Sequence, residues 1–333
     1  MLSTKPKLAI IGAGIAGLNL ARLLTDVADV TVFEKSDKLG GRVATHHAEG
    51  FDFDHGAQFF TAKTAAFKAL VKELEAQGVV KQWHARFVEM DPTGVKSERV
   101  WDEDFPHYVG SPSMNSMAKF LANNTQVHFN QLITGMQKKQ SAWFLQTQSD
   151  EHGPFDWVIV TTPAEQAQAI LPATFTPNMP YQGLKMQPCF ALMLGYDAPI
   201  AMDWDAAFVS NSILSWVSVN SSKPDRAAHF SLLALSSNAW ADEHFALDDK
   251  VIIAKMLAEL ERISGKQFSG AAYLKLKKWK YANAYKQAQA LELIDYAHQL
   301  ACCGDWCVSG RIESAFLSSS RVAQKLKDAC NKC

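Results

Sequence analysis

Three glycines near the start of the chain have a spacing that could bind a phosphate. Gly12, Gly14 and Gly17 follow an apolar run and precede a helical pattern in the stretch KLAIIGAGIAGLNLARLL. In such a turn the first glycine permits a tight bend, the second admits a pyrophosphate to the backbone, and the third lets the helix pack on the strand. The N-terminus of the helix then faces the phosphates. The flanking strand and helix make the spacing typical of a dinucleotide site.

A carboxylate follows the next apolar run at the distance that such a site requires. Val30 to Phe33 predicts a second strand, and Glu34 follows it, 22 residues after Gly12. An acid at this point can accept hydrogen bonds from the hydroxyl groups of an adenosine ribose. A solvated charge at a strand end is the simpler alternative, and the sequence leaves both open.

Cysteines near the end of the chain could instead indicate a thiol or metal centre. The stretch CCGDWCVSG contains Cys302, Cys303 and Cys307, and the chain ends with Cys330 and Cys333, in a spacing that resembles a zinc ribbon. Neighbouring side chains of a strand point to opposite faces, so Cys302 and Cys303 cannot easily bind one ion. Cys330 continues the apolar face of the last helix, where a buried thiol is ordinary. We therefore expect no metal.

Other sequence features exclude several classes of protein. His46, His47 and His55 are close in sequence but have no acid or cysteine partner at a ligand spacing. No GxSxG elbow or GxxxxGK(S/T) loop is present, which excludes serine hydrolases of that type and P-loop NTPases. The 33 Lys plus Arg balance 34 Asp plus Glu, so no cationic excess favours nucleic acid or an anionic membrane.

The hydropathy of the sequence predicts where in the cell the protein is found. The longest nearly uncharged apolar stretch, Leu8 to Leu18, has about eleven residues, against the roughly 20 that a membrane span needs. No pattern of a secretory leader is recognisable. We expect a cytoplasmic protein with reduced thiols, no nucleic-acid partner and no membrane span. The oligomeric state is left open.

The residues after the second predicted strand resemble those of a known enzyme superfamily. Gly40, Gly41 and Arg42 match the GGR signature of the FAD-dependent amine-oxidase-like superfamily, and the segment Asp54 to Gln58 matches its flavin-facing segment. The resemblance implies that Arg42 and the glycine backbone hold the FAD pyrophosphate, which suits the donor fork of an arginine. A surface arginine is the alternative.

A second part of this resemblance lies in the cysteine-rich stretch. Gly304 and Asp305, followed by WCVSGRIESAFLSSSRVAQKL, match a Gly-Asp pair and a helix of the superfamily. The resemblance implies that Asp305 accepts a hydrogen bond from a ribityl hydroxyl. It also implies that the helix beginning near Arg311 directs its N–H groups at the flavin. Many relatives have glycine where this chain has Ser314, which leaves the local geometry open.

The glycine turn and the resemblance together predict an FAD site built from several parts of the chain. The expected FAD-binding residues are Gly12, Gly14, Ile15, Ala16, Gly17, Glu34, Lys35, Gly41, Arg42, Ala57, Gln58, Phe59, Ile133, Gly304, Asp305, Arg311, Ile312 and Ala315. Ile133 comes from the resemblance alone, which implies a backbone contact with adenine at about this position.

The elements that must position these residues predict an α/β fold. Two amphipathic helices are expected, one with Phe67, Leu70, Val71 and Leu74 on its apolar face and one with Ile253, Met256, Leu257, Leu260 and Ile263. Three strands are expected between residues 126 and 162. We predict a Rossmann-like FAD-binding domain (1–62, 126–165 and 292–333) interleaved with a smaller mixed-sheet α+β substrate domain (63–125 and 166–291), of the amine-oxidase and p-hydroxybenzoate-hydroxylase-like kind.

Longer stretches narrow the resemblance to one branch of the superfamily. CGDWCVSGRIESAFLS, DHGAQFFTAK, WVSVNSSKPDR and KKWKYA are similar to the bacterial renalase-like branch. That branch implies hydride transfer from a 2- or 6-dihydro isomer of NAD(P)H to flavin N5, with reoxidation by O2 to give NAD(P)+ and hydrogen peroxide. A donor that becomes an aromatic cation needs stacking and alignment more than a general base.

Four residues are candidates for contact with the substrate. Trp279 and Tyr281 are expected to form a wall facing the flavin, unless they are core aromatic residues on one strand face. Asn220 and Lys223 are candidates for contact with the amide or phosphates of the substrate, unless they only cap a turn. Amine oxidation on the same scaffold and a non-catalytic flavoprotein are the alternative functions.

Overall fold

The computed structural model describes residues 5–175, 183–291 and 293–330. Its helices are α1 (Ile15–Leu24), α2 (Ala65–Ala76), α3 (Ser116–Leu121), α4 (Ala164–Ile170), α5 (Asn238–His244), α6 (Asp249–Ser264) and α7 (Ile312–Cys330). Within these ranges, no helix combines the length and the apolar character that a membrane crossing requires. The helices pack on two large sheets.

The first large sheet is almost entirely parallel. Its strands, in spatial order, are β19 (Leu293–Asp295), β20 (Leu300–Cys302), β13 (Trp157–Val160), β1 (Lys7–Ile11), β2 (Asp29–Phe33) and β9 (Gln126–His128). Neighbouring strands are parallel except β19 with β20. Leu8 and Ile10 enter the core on one face of β1, and Ala9 and Ile11 enter the core on the other. This burial on both faces explains the unbroken apolar run.

The second large sheet is mostly antiparallel. Its strands, in spatial order, are β18 (Tyr273–Ala284), β14 (Met186–Tyr196), β17 (Phe230–Ser236), β16 (Leu214–Val219), β15 (Ala206–Val209), β6 (Arg86–Asp91) and β7 (Gly94–Val100). Of these neighbours, β15 and β6 are parallel. Phe190 and Leu192 of β14 pack with Met256 and Leu260 of α6, so α6 covers what we call the outer face.

Smaller sheets complete the structure. They are formed by β10 (Gly135–Lys139), β11 (Ala142–Gln146) and β12 (Glu151–Phe155), by β3 (His46–Ala48) and β4 (Phe51–Phe53), and by β5 (Val80–Gln82) and β8 (Tyr108–Gly110). Phe51 and Phe53 of β4 pack on Ala191, Met193 and Leu233 of the second large sheet. Because β4 leads directly into the predicted flavin-facing segment, this inner face of the sheet is the one directed at the cofactor motifs.

The predicted α/β class with a Rossmann-like domain is confirmed. The apolar stripe of α2 is buried as predicted. In α6, Met256, Leu260 and Ile263 are buried as predicted, and Ile253 and Leu257 are half-buried against the same core. Ile252, which was not expected on this face, is also buried. Five strands, not three, lie between residues 126 and 160. The domain boundaries stay a prediction.

Candidate functional site

The carboxyl edge of the first sheet brings the predicted motifs together. Parallel strands end at one edge, where β1 is followed by Gly12, β2 by Glu34, and β20 by Cys303 and Gly304. Ligands of open α/β sheets bind beyond this edge. Residues from both ends of the chain therefore meet in one place because of the strand order.

The first glycine turn fits a dinucleotide pyrophosphate. A Cβ atom on Gly17 would lie 2.0 Å from the carbonyl oxygen of Gly12, so glycine is needed for α1 to pack closely. A Cβ atom on Gly14 would meet nothing within 4 Å, so the protein leaves the backbone there open to a ligand. Ile15 and Ala16 start α1, whose first N–H groups have no partner inside the helix.

Glu34 is buried against this turn. Its Oε2 accepts a hydrogen bond from the Ala13 N–H at 2.9 Å, and its Oε1 accepts from the N–H and Oγ of Ser36 at 2.9 and 2.7 Å. A carboxylate that is only 7% exposed is not the solvated charge of the simpler alternative. Ile133 lies in the connection between β9 and β10 and is buried in the core on one face of the first sheet, and Lys35 is exposed.

The GGR turn lies on the first glycine turn and directs an arginine across the site. The Gly40 N–H donates to the Ala13 carbonyl at 2.9 Å, and Gly41 has a φ of +55°. Nη1 and Nη2 of Arg42 donate to the two carboxylate oxygens of Asp305 at 2.8 and 2.5 Å. Two signatures that are 263 residues apart thus form one bidentate ion pair. Arg42 is therefore not an isolated surface arginine.

The Asp305 turn leads into α7. The Asp305 carbonyl oxygen accepts hydrogen bonds from the N–H groups of Ser309 and Gly310 at 3.1 and 3.0 Å. Arg311, which is exposed, follows, and α7 begins at Ile312. The positive end of the α7 dipole therefore lies beside the ion pair of Arg42 and Asp305, where it can stabilise negative charge.

The serine that replaces the usual glycine is accommodated by a neighbouring serine. Ser314 is buried, and its Oγ lies 2.8 Å from the Oγ of Ser309. Glu313 accepts hydrogen bonds from the N–H groups of Lys63 and Thr64 at 3.1 and 2.7 Å, which ties α7 to the start of α2. Ala315, the next residue, is buried.

The segment Asp54 to Gln58 lies against the backbone of Arg42. The Ala57 N–H donates to the Arg42 carbonyl at 2.8 Å. A Cβ atom on Gly56 would lie 2.0 Å from the same oxygen, so this approach requires glycine. Gln58 Nε2 donates to the carbonyls of Asp54 and Gly56 at 2.5 and 2.9 Å, which fixes the curve of the segment.

Behind this segment lies a cluster of three fully buried charges. The Asp54 carboxylate accepts hydrogen bonds from Lys223 Nζ at 3.1 Å and from Arg226 Nη2 at 2.8 Å. Burial opposes ionisation of Asp54, but the two cations outweigh it and hold the Asp54 pKa at about 2. Burial lowers the pKa of Lys223 to about 8, against the pull of Asp54. Lys223 Nζ also lies 3.4 Å from Gln58 Oε1.

Asn220 belongs to the same cluster. It starts a 3-10 turn at Asn220–Ser222, its Oδ1 accepts from Lys223 Nζ at 2.9 Å, and its Nδ2 donates to the Asp52 carbonyl at 2.9 Å. Asn220 and Lys223 are both buried. A substrate phosphate could reach them only if these internal bonds were exchanged, so the geometry supports a role in positioning the flavin-facing segment. Arg226 could not be identified from the sequence, because burial of its charge has no local signature.

Trp279 lies against the flavin-facing segment. Its Nε1 donates to the His55 carbonyl at 2.8 Å, and the indole and imidazole rings stack with centroids 5.3 Å apart. Burial, followed by repulsion from Lys277, lowers the pKa of His55 to about 4, so the imidazole is neutral near pH 7. In the described part of the chain, the buried His55 Nδ1 has no hydrogen-bond partner.

Tyr281 lies in different surroundings. A bulge separates the pairs Cys189–Trp279 and Gln187–Asn283, so the alternation of β18 is interrupted around Tyr281. Its ring packs against the core of the first sheet and lines a cleft of about 240 Å³. The two aromatic residues thus do not share one strand face. Phe59 packs elsewhere, against the rings of Trp101 and Trp216 at 4.8 and 5.3 Å between centroids.

The cysteines of CCGDWCVSG are buried neighbours of the site. Cys302 and Cys303 belong to cores on opposite faces of the first sheet, and burial raises the thiol pKa of both well above its usual value. Burial also raises the pKa of Cys307, to about 12. Among residues 5–175, 183–291 and 293–329, no group of three His, Cys, Asp or Glu side chains is placed to hold a metal ion. The expectations for the Cys330 side chain and Cys333 lie outside the described residues.

Comparison with known proteins agrees with this geometry. Residues 10–74 match the family model of an NAD(P)-binding Rossmann-like domain, and residues 88–327 match that of the flavin containing amine oxidoreductases. The chain belongs to the flavin containing amine oxidoreductase family. Because that family is flavin-dependent and the amino-terminal domain binds a dinucleotide, the cofactor is FAD. The open glycine turn, Arg42 and the N-terminus of α7 fit this cofactor.

Individual relatives match locally in sequence and globally in fold. Coproporphyrinogen III oxidase of Mycobacterium tuberculosis is 38% identical over 69 residues, which span 20% of this chain and 15% of that relative. A structure described as a protoporphyrinogen oxidase from Exiguobacterium sp. 255-15 has a TM-score of 0.78 at 14% identity and covers 98% of this chain and 99% of its own. Cyclohexylamine oxidase from Brevibacterium oxydans has a TM-score of 0.71 at 12% identity, covering 97% and 100%. These structures show the fold alone.

Proposed function

We propose that this flavin-dependent oxidoreductase oxidises misreduced dihydronicotinamide nucleotides, the 2- and 6-dihydro isomers of NAD(P)H, with O2 as acceptor. The products are NAD(P)+ and hydrogen peroxide. The dihydronicotinamide loses a hydride, and O2 takes up that electron pair with the accompanying proton and one further proton from solvent. Bound FAD supplies the two-electron chemistry that links these two half-reactions.

The observation that carries the proposal is the position of one aromatic side chain, Trp279, beside groups that are poor bases. Trp279 is fixed by the His55 carbonyl beside the flavin-facing segment, where it can stack with a planar ring. The nearby carboxylates of Asp54 and Asp305 are held in ion pairs, and His55 has a pKa of about 4. Oxidation of a dihydropyridine to an aromatic cation suits such a site because it requires alignment and no proton abstraction.

Amine oxidation is the second candidate, since the chain belongs to the flavin containing amine oxidoreductase family. A protonated amine would meet the cation Lys277 at this site, whereas the charge of Arg42 is balanced by Asp305. The surrounding charge therefore supports the nucleotide over the amine. A flavoprotein without catalysis is the third candidate.

Oxygen consumption by the purified FAD-loaded protein separates these functions. The donors are 2- and 6-dihydroNAD(P), ordinary NAD(P)H, and a set of amines that includes putrescine and cyclohexylamine. We expect turnover and hydrogen peroxide with at least one dihydro isomer and none with the amines. Turnover with an amine but with neither isomer would overturn the proposal, and no turnover with any donor would support the non-catalytic alternative.

A further inference from the structure

Two lysines on β18 lie on the inner face of the second sheet, the face directed at the cofactor motifs. In the antiparallel register, Lys277 lies opposite Ala191 and Lys275 opposite Met193. Directly opposed residues share a face, and Ala191 and Met193 pack on β4. The lysines therefore leave the strand on the side of the flavin-facing segment.

An aromatic residue stands at each end of this lysine pair. Tyr273 and Trp279 occupy the next alternate positions of β18, which gives the sequence Tyr273, Lys275, Lys277, Trp279 along one face. Lys277 Nζ lies 5.2 Å from the Trp279 ring centroid. Tyr273 Oη lies 2.6 Å from His46 Nε2. We call these four residues the lysine stripe.

Among the described residues, the cations of the lysine stripe have no anionic partner. In the part of the chain that the structure describes, neither Lys275 nor Lys277 forms an ion pair or a hydrogen bond. The contrast is Lys278, which points to the outer face and is bound by the Leu247 carbonyl at 2.7 Å and by Asp249 at 2.8 Å. Lysines on an edge strand can also prevent pairing with another chain. That role alone does not explain why the lysine on the outer face is paired and the two on the inner face are not.

These cations create a positive region beside the site. Burial is the largest cause that lowers the pKa of His46, and repulsion from Lys275 is the second. Burial is also the largest cause for His55, and repulsion from Lys277 is the second. Glu49 is an acid near this region, and it helps to raise the pKa of Tyr273. Residues two apart on a strand are about 7 Å apart, a separation that suits two phosphate groups of one ligand.

We propose that the lysine stripe binds the phosphate groups of the substrate, so that the substrate is a nucleotide whose nicotinamide end lies beside Trp279. This inference rests on the proposed function, whose flavin-facing segment it adjoins. It assigns phosphate recognition to Lys275 and Lys277 and leaves Asn220 and Lys223 to the buried cluster.

The test compares phosphate-bearing and phosphate-free ligands in a matched pair of variants. The double variant Lys275→Gln/Lys277→Gln removes two charges from the stripe. The control, Lys255→Gln, removes an exposed lysine from α6 on the outer face. Calorimetry with inorganic pyrophosphate and with ADP-ribose measures binding to the FAD-loaded protein independently of turnover. Kinetics use a dihydroNAD isomer and a phosphate-free N-methyl dihydronicotinamide.

We expect the double variant to bind ADP-ribose and pyrophosphate at least about tenfold more weakly at low salt. It should show a similarly raised KM for the dinucleotide and a much smaller rise in the KM of the phosphate-free donor. Addition of salt should weaken wild-type binding and reduce the difference. The control should match wild type throughout.

Unchanged ADP-ribose and pyrophosphate affinity in the double variant would overturn the inference. An equal rise in KM for the phosphate-bearing and phosphate-free donors would also overturn it, because that result indicates a distorted site. If the wild type oxidises no dihydronicotinamide, the proposed function fails, and the calorimetric comparison still decides whether the stripe binds phosphate.

Discussion

Removing the anion of the buried cluster should destabilise the protein much more than removing one of its cations. The Asp54 carboxylate pairs with both Lys223 and Arg226, and all three side chains have zero exposure. Asp54→Asn leaves two buried cations without compensation, which costs about 3–5 kcal/mol for a broken buried pair. Lys223→Met leaves Asp54 paired with Arg226 and places an apolar chain over Trp83, so we expect a cost of about 1 kcal/mol.

The pH dependence of the free energy of unfolding provides a second, independent test of the buried cluster. The pKa of Lys223 is about 8 in the folded protein and 10.5 for a free side chain. Between about pH 8 and 10.5 the unfolded chain therefore binds more protons at this residue, so the free energy of unfolding rises with pH. The wild type should gain up to about 3 kcal/mol relative to Lys223→Met across this range, since each pKa unit corresponds to about 1.4 kcal/mol.

Denaturant unfolding at a fixed FAD concentration measures both effects, since bound cofactor stabilises the folded state. A matched control is Asp26→Asn, which breaks a surface pair with Lys327 and should leave the free energy of unfolding nearly unchanged. A Lys223→Met variant as unstable as Asp54→Asn would refute the charge argument. A wild type whose stability relative to Lys223→Met does not rise between pH 8 and 10.5 would refute the lowered pKa.

Three further predictions concern the cofactor and the neighbouring imidazole. Asp305→Ala should weaken FAD binding at least about tenfold in reconstitution of the FAD-free protein, because Arg42 loses the carboxylate that orients its side chain. The control variant Cys303→Ser should retain flavin, and equal losses of flavin in the two variants would contradict this assignment. Gly14→Ala should fold normally but bind FAD weakly. Gly17→Ala should cost about 1–3 kcal/mol of stability, because its methyl group would overlap the Gly12 carbonyl oxygen. Equal thermal midpoints for the two FAD-free variants would contradict this difference between the two glycines. His55 should titrate near pH 4 by NMR because of its burial and the repulsion from Lys277, and a value near 6.5 would contradict this explanation.

The local features of the site could be predicted from the sequence. The strand before Gly12, the helix after Gly17 and the carboxylate of Glu34 are close in the chain, and parallel strands place their carboxyl ends at one edge. The turn at Gly304 follows the same rule. These features depend on short-range spacing and on sheet topology, which an apolar run and a glycine motif reveal.

The long-range contacts could not be predicted. Arg42 and Asp305 approach because β20 and β1 are separated by a single strand, and no local pattern encodes that order. Lys223 lies in a sequence that is typical of a solvated turn, yet it is buried because Asp54 compensates its charge. The alternation of Lys275 and Lys277 is visible in the sequence, but the register with β14 is needed to show which face carries them.

Anaerobic titration of the FAD-loaded protein tests the central claim most directly. Successive additions of 2- or 6-dihydroNAD(P) are followed at the absorbance band of oxidised flavin, and the nucleotide product is identified after each addition. The account predicts that one isomer bleaches the flavin stoichiometrically and is recovered as NAD(P)+, and that admission of O2 restores the band with release of hydrogen peroxide. A flavin that stays oxidised with both isomers, while an amine bleaches it, would contradict the account.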